Sequence, residues 1–162
     1  MAISHHFLRL PQTQLEHALL EPADLDDTIN EVWESDTLHL EIERSWQLIH
    51  FLLVGTAWGR KGRLARAVLG GEEIPGSDSG QGPCRYNKAK DVRLLMSELD
   101  SLRFEALWSR FDLAHVQAAQ IYPEDWTAED GDRRQCRQDY ESLCAFLRLA
   151  AADNEAVVMF LS

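Results

Sequence analysis

The chain has 162 residues, 45% of them hydrophobic and 27% charged, enough for one domain with its own core and unlike the composition of a disordered chain. Its three cysteines (Cys84, Cys136 and Cys144) are odd in number and show no CxxC spacing, which argues against a disulfide framework or a cysteine zinc site. The formal net charge of −11 argues against a nucleic-acid partner, since phosphate backbones are held by clustered Lys and Arg.

Residues 3–10 read as a strand that Pro11 ends, and a helix with Leu15, Ala18 and Leu19 on one side follows to Leu20. A second helix is predicted from Pro22 to about Trp33, its acidic first turn suited to the positive end of the helix dipole. The spacing predicts the central core helix over residues 42–54, with Ile42, Trp46, Ile49 and Leu53 as one stripe and Gly55 as its C-terminal cap. Residues 64–69 form a short helix or strand, and the glycine- and proline-rich stretch 70–83 is a loop. A brief extended piece at residues 84–86 precedes a helix over 88–99, and further helical turns run over 104–111 and 113–120. The last helix carries Cys136, Tyr140, Leu143, Cys144, Leu147, Ala150 and Ala151 on a single stripe. Asp153-Asn154 ends it, and the continuous apolar run 156–161 reads as a buried strand. Strands at both ends with helices between them predict an α+β domain, residues 1–162, with helices on a small mixed sheet.

The excess negative charge is local. Residues 21–43 hold nine acidic side chains and neither Lys nor Arg, while the rest of the chain holds 18 acidic and 16 basic residues. Asp24, Asp26, Asp27, Glu31, Glu34 and Asp36 are the candidate interaction face. A solvated surface that keeps the protein soluble is the simplest use of such charge, and a complementary basic protein partner is the functional one. The N-terminal residues lack the apolar core of a signal peptide, and the mid-chain run Phe51-Leu52-Leu53-Val54 is far shorter than the ~20 residues a membrane span needs. A cytoplasmic, bacterial protein with reduced thiols and no membrane partner is expected.

No catalytic motif emerges. Asp78-Ser79-Gly80-Gln81-Gly82-Pro83 resembles a serine-protease nucleophile loop, but a short, mostly helical chain lacks the two barrels and the placed histidine that chemistry requires. The six histidines show no HExxH or equivalent spacing, so no metal and no cofactor is expected. His5 and His6 point to opposite faces of their strand, and His50 reads as a hydrogen-bonded core residue. Gly59-Arg60-Lys61-Gly62-Arg63 with Arg66 is the single basic cluster; it reads as a solvated turn, with anion binding as the alternative.

Several fragments in order resemble one family. They are residues 46–55 (WQLIHFLLVG), Ala67-Val68-Leu69-Gly70-Gly71, Gly82-Pro83-Cys84-Arg85-Tyr86, Arg110-Phe111-Asp112, Ile121-Tyr122-Pro123-Glu124-Asp125-Trp126, and the helix with Tyr140 and Phe146. The set is similar to the YfbM-like family of small bacterial proteins of unknown function, and the similarity spans essentially the whole chain. It implies a compact α/β-type domain without an established activity or cofactor. Cys84 stands where a small residue such as Ala is expected. The resemblance points to Trp46, His50, Arg85, Tyr86, Tyr122 and Trp126 as the place to seek a pocket. Two functions follow: a non-enzymatic interaction protein of inhibitor or immunity type, acting through its acidic face, or a small-molecule site around His50, Arg85, Tyr86 and Tyr122.

Overall fold

The computed structural model describes residues 2–162. Strand β1 (His5–Pro11) leads into helix α1 (Gln12–Leu20), a 3-10 turn (Pro22–Asp24) and helix α2 (Leu25–Trp33). Strand β2 (His39–Ile42), helix α3 (Trp46–Val54) and a second 3-10 turn (Leu64–Ala67) follow, then the short strands β3 (Glu72–Glu73) and β4 (Arg85–Asn87). Helices α4 (Ala89–Leu99), α5 (Phe104–Trp108), α6 (Leu113–Ala118) and α7 (Asp130–Ala152) complete the helical set before β5 (Glu155–Leu161). The strands form one five-stranded sheet in the order β2-β1-β5-β4-β3.

The two terminal strands pair at the centre of the sheet, Phe7 opposite Met159 and Leu8 opposite Val158. Every pairing is antiparallel, so the sheet is not the mixed one expected. Alternation along β1 and β5 divides the core. Phe7, Val157 and Met159 face α3, α4, α5 and α7, whereas Leu8, Leu10, Ala156, Val158 and Phe160 face α1 and α2. A strand covered on both faces needs apolar side chains at every position, which is why 156–161 reads as an unbroken run.

The central helix is shorter than its apolar stripe suggests. Ile42 is the last residue of β2, where it pairs with His5, and the chain bends at residues 43–45 before α3 begins at Trp46. Ile42 still packs into the α3 core, so it satisfies the helical spacing from a strand. Gly55 caps α3 at φ 89°, as expected, and Asn154 adopts φ 54° at the turn from α7 into β5. Pro11 closes β1 in an extended conformation and precedes the first turn of α1.

Residues 70–83 are a loop interrupted by β3. Gly71 lies at φ 92°, and a Cβ there would stand 2.7 Å from the Tyr86 carbonyl oxygen. At Gly76 (φ 77°) a Cβ would meet nothing within 4 Å. Gly71→Ala is therefore expected to cost about 2–3 kcal/mol, from conformational strain plus a backbone clash, and Gly76→Ala only the strain, about 1 kcal/mol. Urea denaturation of both variants separates the two contributions; equal losses would contradict the assigned clash.

Candidate functional site

The acidic segment folds as the first 3-10 turn, helix α2 and the approach to β2, and its carboxylates point outward. Asp26, Asp27, Glu31, Glu34 and Asp36 are exposed and make no ion pair among the described residues, while Asp24 meets the exposed His17 at 3.0 Å. The sequence pattern explains the arrangement. Leu25 and Val32 turn into the core beneath β1 and β5, and the residues between them on the other side of α2 are acidic.

Beside α2 lies a groove of about 330 Å³. Leu25, Ile29 and Phe160 line it with apolar surface, and Asp26 and Asp78 supply carboxylates. Burial raises the Cys84 thiol pKa, partly offset by a hydrogen bond with Ser77, and the charges of Asp26 and Asp78 raise it further. The 70–83 loop that forms the far wall is pinned by its serines. Ser77 Oγ donates to the Ile74 carbonyl and accepts from the Cys84 N–H, and Ser79 Oγ donates to the Leu161 carbonyl at 2.5 Å. Ser79 thus serves as a tether rather than as a nucleophile. Trp33, 36% exposed at the end of α2, stacks on His39 with centroids 4.4 Å apart and lies parallel to Phe160 at 6.1 Å. Phe160 therefore joins the exposed indole to the groove.

Beneath Trp33 runs a side-chain chain that sequence spacing does not suggest. His39 Nδ1 donates to the Trp33 carbonyl (2.9 Å), which leaves its Nε2 to accept from His6 Nδ1 (3.0 Å). His6 Nε2 then accepts from Ser162 Oγ at 2.7 Å. Burial lowers the His6 pKa, with Glu41 opposing and His39 reinforcing the shift, consistent with a neutral link. The chain ties β1, β2 and the end of β5 to the base of α2.

The six residues singled out as a pocket do not converge on one cavity. Trp46, Tyr122 and Trp126 do meet: Trp46 stacks on Tyr122 at 5.3 Å, and Trp126 Nε1 donates to the Tyr122 carbonyl. Their polar atoms are spent internally, since Trp46 Nε1 donates to the Ile3 carbonyl and Tyr122 Oη accepts from the Ile3 N–H. Arg44 closes the outer side, 4.4 Å above the Trp126 ring. Tyr86 packs against the α1–α2 core on the opposite face of the sheet. His50 is fully buried in α3 with Nε2 donating to the Gly59 carbonyl at 2.8 Å, the hydrogen-bonded core role its apolar surroundings suggest. Desolvation lowers its pKa to about 4. Of the six, Arg85 lines a small cleft on the other side of the 70–83 loop from the acidic groove, and Trp126 lines a separate one with Val116, Gln120 and Glu124.

Among the described residues there is no group of three or more His, Cys, Asp or Glu able to hold a metal ion, and no helix is long and apolar enough to cross a membrane. A five-stranded antiparallel sheet clad on both faces by helices, with an acidic helix on one flank, defines a small α+β domain. The chain belongs to the DUF1877 family, described as a domain of unknown function, which matches residues 1–160. It is similar in fold to the crystal structure of YfbM from Escherichia coli, itself a protein of unknown function, with a TM-score of 0.77 and 21% identity over 100% of both chains. No curated protein matches the sequence.

Proposed function

We propose that the protein is a non-enzymatic interaction domain, of inhibitor or immunity type, that covers a basic surface on a protein partner. The observation that carries this reading is the set of five exposed α2-flank carboxylates without cation partners among the described residues, placed beside a groove with apolar surface and two acids. A Lys or Arg side chain suits such a groove: its methylene stem lies on Leu25, Ile29 and Phe160 while its charged head meets Asp26 and Asp78. Trp33 supplies the half-exposed aromatic anchor typical of residues that dominate binding energy. Unpaired carboxylates around it accelerate and orient encounter with a basic partner.

The test is affinity capture from native extract with the wild-type chain and with the D26K/D27K/E31K variant, all three sites being exposed. The wild type is expected to retain a basic protein in a salt-sensitive manner and the variant to lose it. Trp33→Ala is expected to weaken the same complex about tenfold or more. Capture that survives charge reversal would defeat the proposal.

A further inference from the structure

The cleft across the loop from the acidic groove has the opposite character. It measures about 70 Å³ and is lined by His5, Trp58, Arg60, Gln81 and Arg85 among others. Two guanidinium groups thus face one small space in a protein whose net charge is −11. Their internal hydrogen bonds are complementary. Among the described residues Arg60 spends only its Nε, on the Leu69 carbonyl at 3.0 Å, and makes no ion pair, which leaves its terminal nitrogens for a ligand. Arg85 spends its terminal nitrogens instead, one on the Gly71 carbonyl and one on Glu73 at 2.8 Å. Glu73 is exposed and can yield its place on Arg85 to a competing anion. Desolvation lowers the Arg85 pKa and the neighbouring charge of Arg60 lowers it further, while Glu73 and Glu72 oppose the shift.

The other lining groups add donors and one acceptor. Trp58 is 54% exposed, and its indole N–H has no partner among the described residues. Gln81 brings a free amide from the loop. His5 is 98% buried, its Nε2 donates to the Val68 carbonyl at 2.7 Å, and its Nδ1 has no hydrogen-bond partner. With Nε2 donating, the neutral ring's Nδ1 can only accept, so a water or another donor completes its pairing, and an oxyanion is held by the guanidinium, indole and amide donors.

We infer that this cleft is a binding site for a small oxyanion, a phosphate or carboxylate group held between Arg60 and Arg85 and walled by Trp58. The cavity is well below the 300 Å³ or more usual for drug-sized ligands, which restricts the occupant to a single small anionic group. Guanidinium forks favour such oxyanions over spherical anions because they donate paired, parallel hydrogen bonds.

Titration of the full chain with inorganic phosphate, and separately with acetate, at constant ionic strength tests the site by two-dimensional NMR. Saturable shifts of the Trp58 indole N–H and the Gln81 amide are expected, with phosphate the tighter of the two. Arg60→Gln is expected to weaken binding about tenfold, as is Arg85→Gln, whereas the exposed neighbour Lys61→Gln leaves it unchanged. Saturation by either anion upholds the site and identifies its preferred geometry. Failure of both to saturate, or an equal loss in the Lys61 variant, would overturn it. None of these readouts involves α2, so the outcome is separate from that of the protein-partner test.

Discussion

Acidification from about pH 7 to about pH 4.5 is expected to remove on the order of 5 kcal/mol of folding stability through two histidines alone. His5 and His50 are fully enclosed, and loss of water drives their pKa values from 6.5 to about 3 and about 4. Both therefore remain neutral in the folded protein while the unfolded chain takes up protons near pH 6.5. Stability from this source is fully present above pH 6.5 and falls as the pH drops towards 4 and then 3, where the folded state also protonates. The loss is comparable with the whole stability of an ordinary domain, so acid unfolding should begin well above the carboxylate range. Each unmatched proton adds about 1.4 kcal/mol per pH unit to the slope. Urea midpoints measured across this range should show a slope near two protons, and His50→Gln, which keeps a donor for the Gly59 carbonyl, should remove about one. An unchanged slope in that variant would show that His50 is already charged in the folded state.

Arg9→Met is the substitution expected to be most damaging, at about 3–5 kcal/mol. Arg9 points from β1 into a nearly enclosed space, where its guanidinium meets Glu155 at 2.5 Å, Asp153 at 3.0 Å and the Thr37 carbonyl at 2.8 Å. Glu155 is itself buried, so loss of the arginine leaves an unpaired carboxylate inside the protein. The pair also fastens β1 to the start of β5 and to the segment entering β2. Arg9→Met combined with Glu155→Gln should recover much of the loss, because no isolated charge remains. Denaturation in which the double variant is as unstable as the two single losses added together would contradict this account of the pair.

Much of the helical framework was legible because its amphipathic stripes are long. The stripe from Cys136 to Ala151 lies within α7, and Val92, Leu95, Met96 and Leu99, with Ala89, are the buried positions of α4. The terminal strands were legible from the opposite signal, continuous burial. What spacing misread was β2, since Ile42 lies four residues before Trp46 and enters the same core from a strand. The short strand β4 owes its form to pairing with β5, and β3 to pairing with β4, contacts with no local signature. Site geometry was the least legible part. The acidity of α2 could be read directly, but the groove beside it needs Phe160 from β5 and Asp78 from a distant loop. Likewise Arg60 stood out within the basic cluster, whereas its union with His5 and Arg85 depends on the strand order.

Hydrogen–deuterium exchange on the captured complex tests the proposed interaction face most directly, because it locates the partner rather than merely detecting it. Protection is expected over residues 24–36 and over 76–80, the two walls of the acidic groove, with little change along the exposed side of α7. A complex that leaves both groove walls exchanging at their free rates would contradict a basic partner seated on α2.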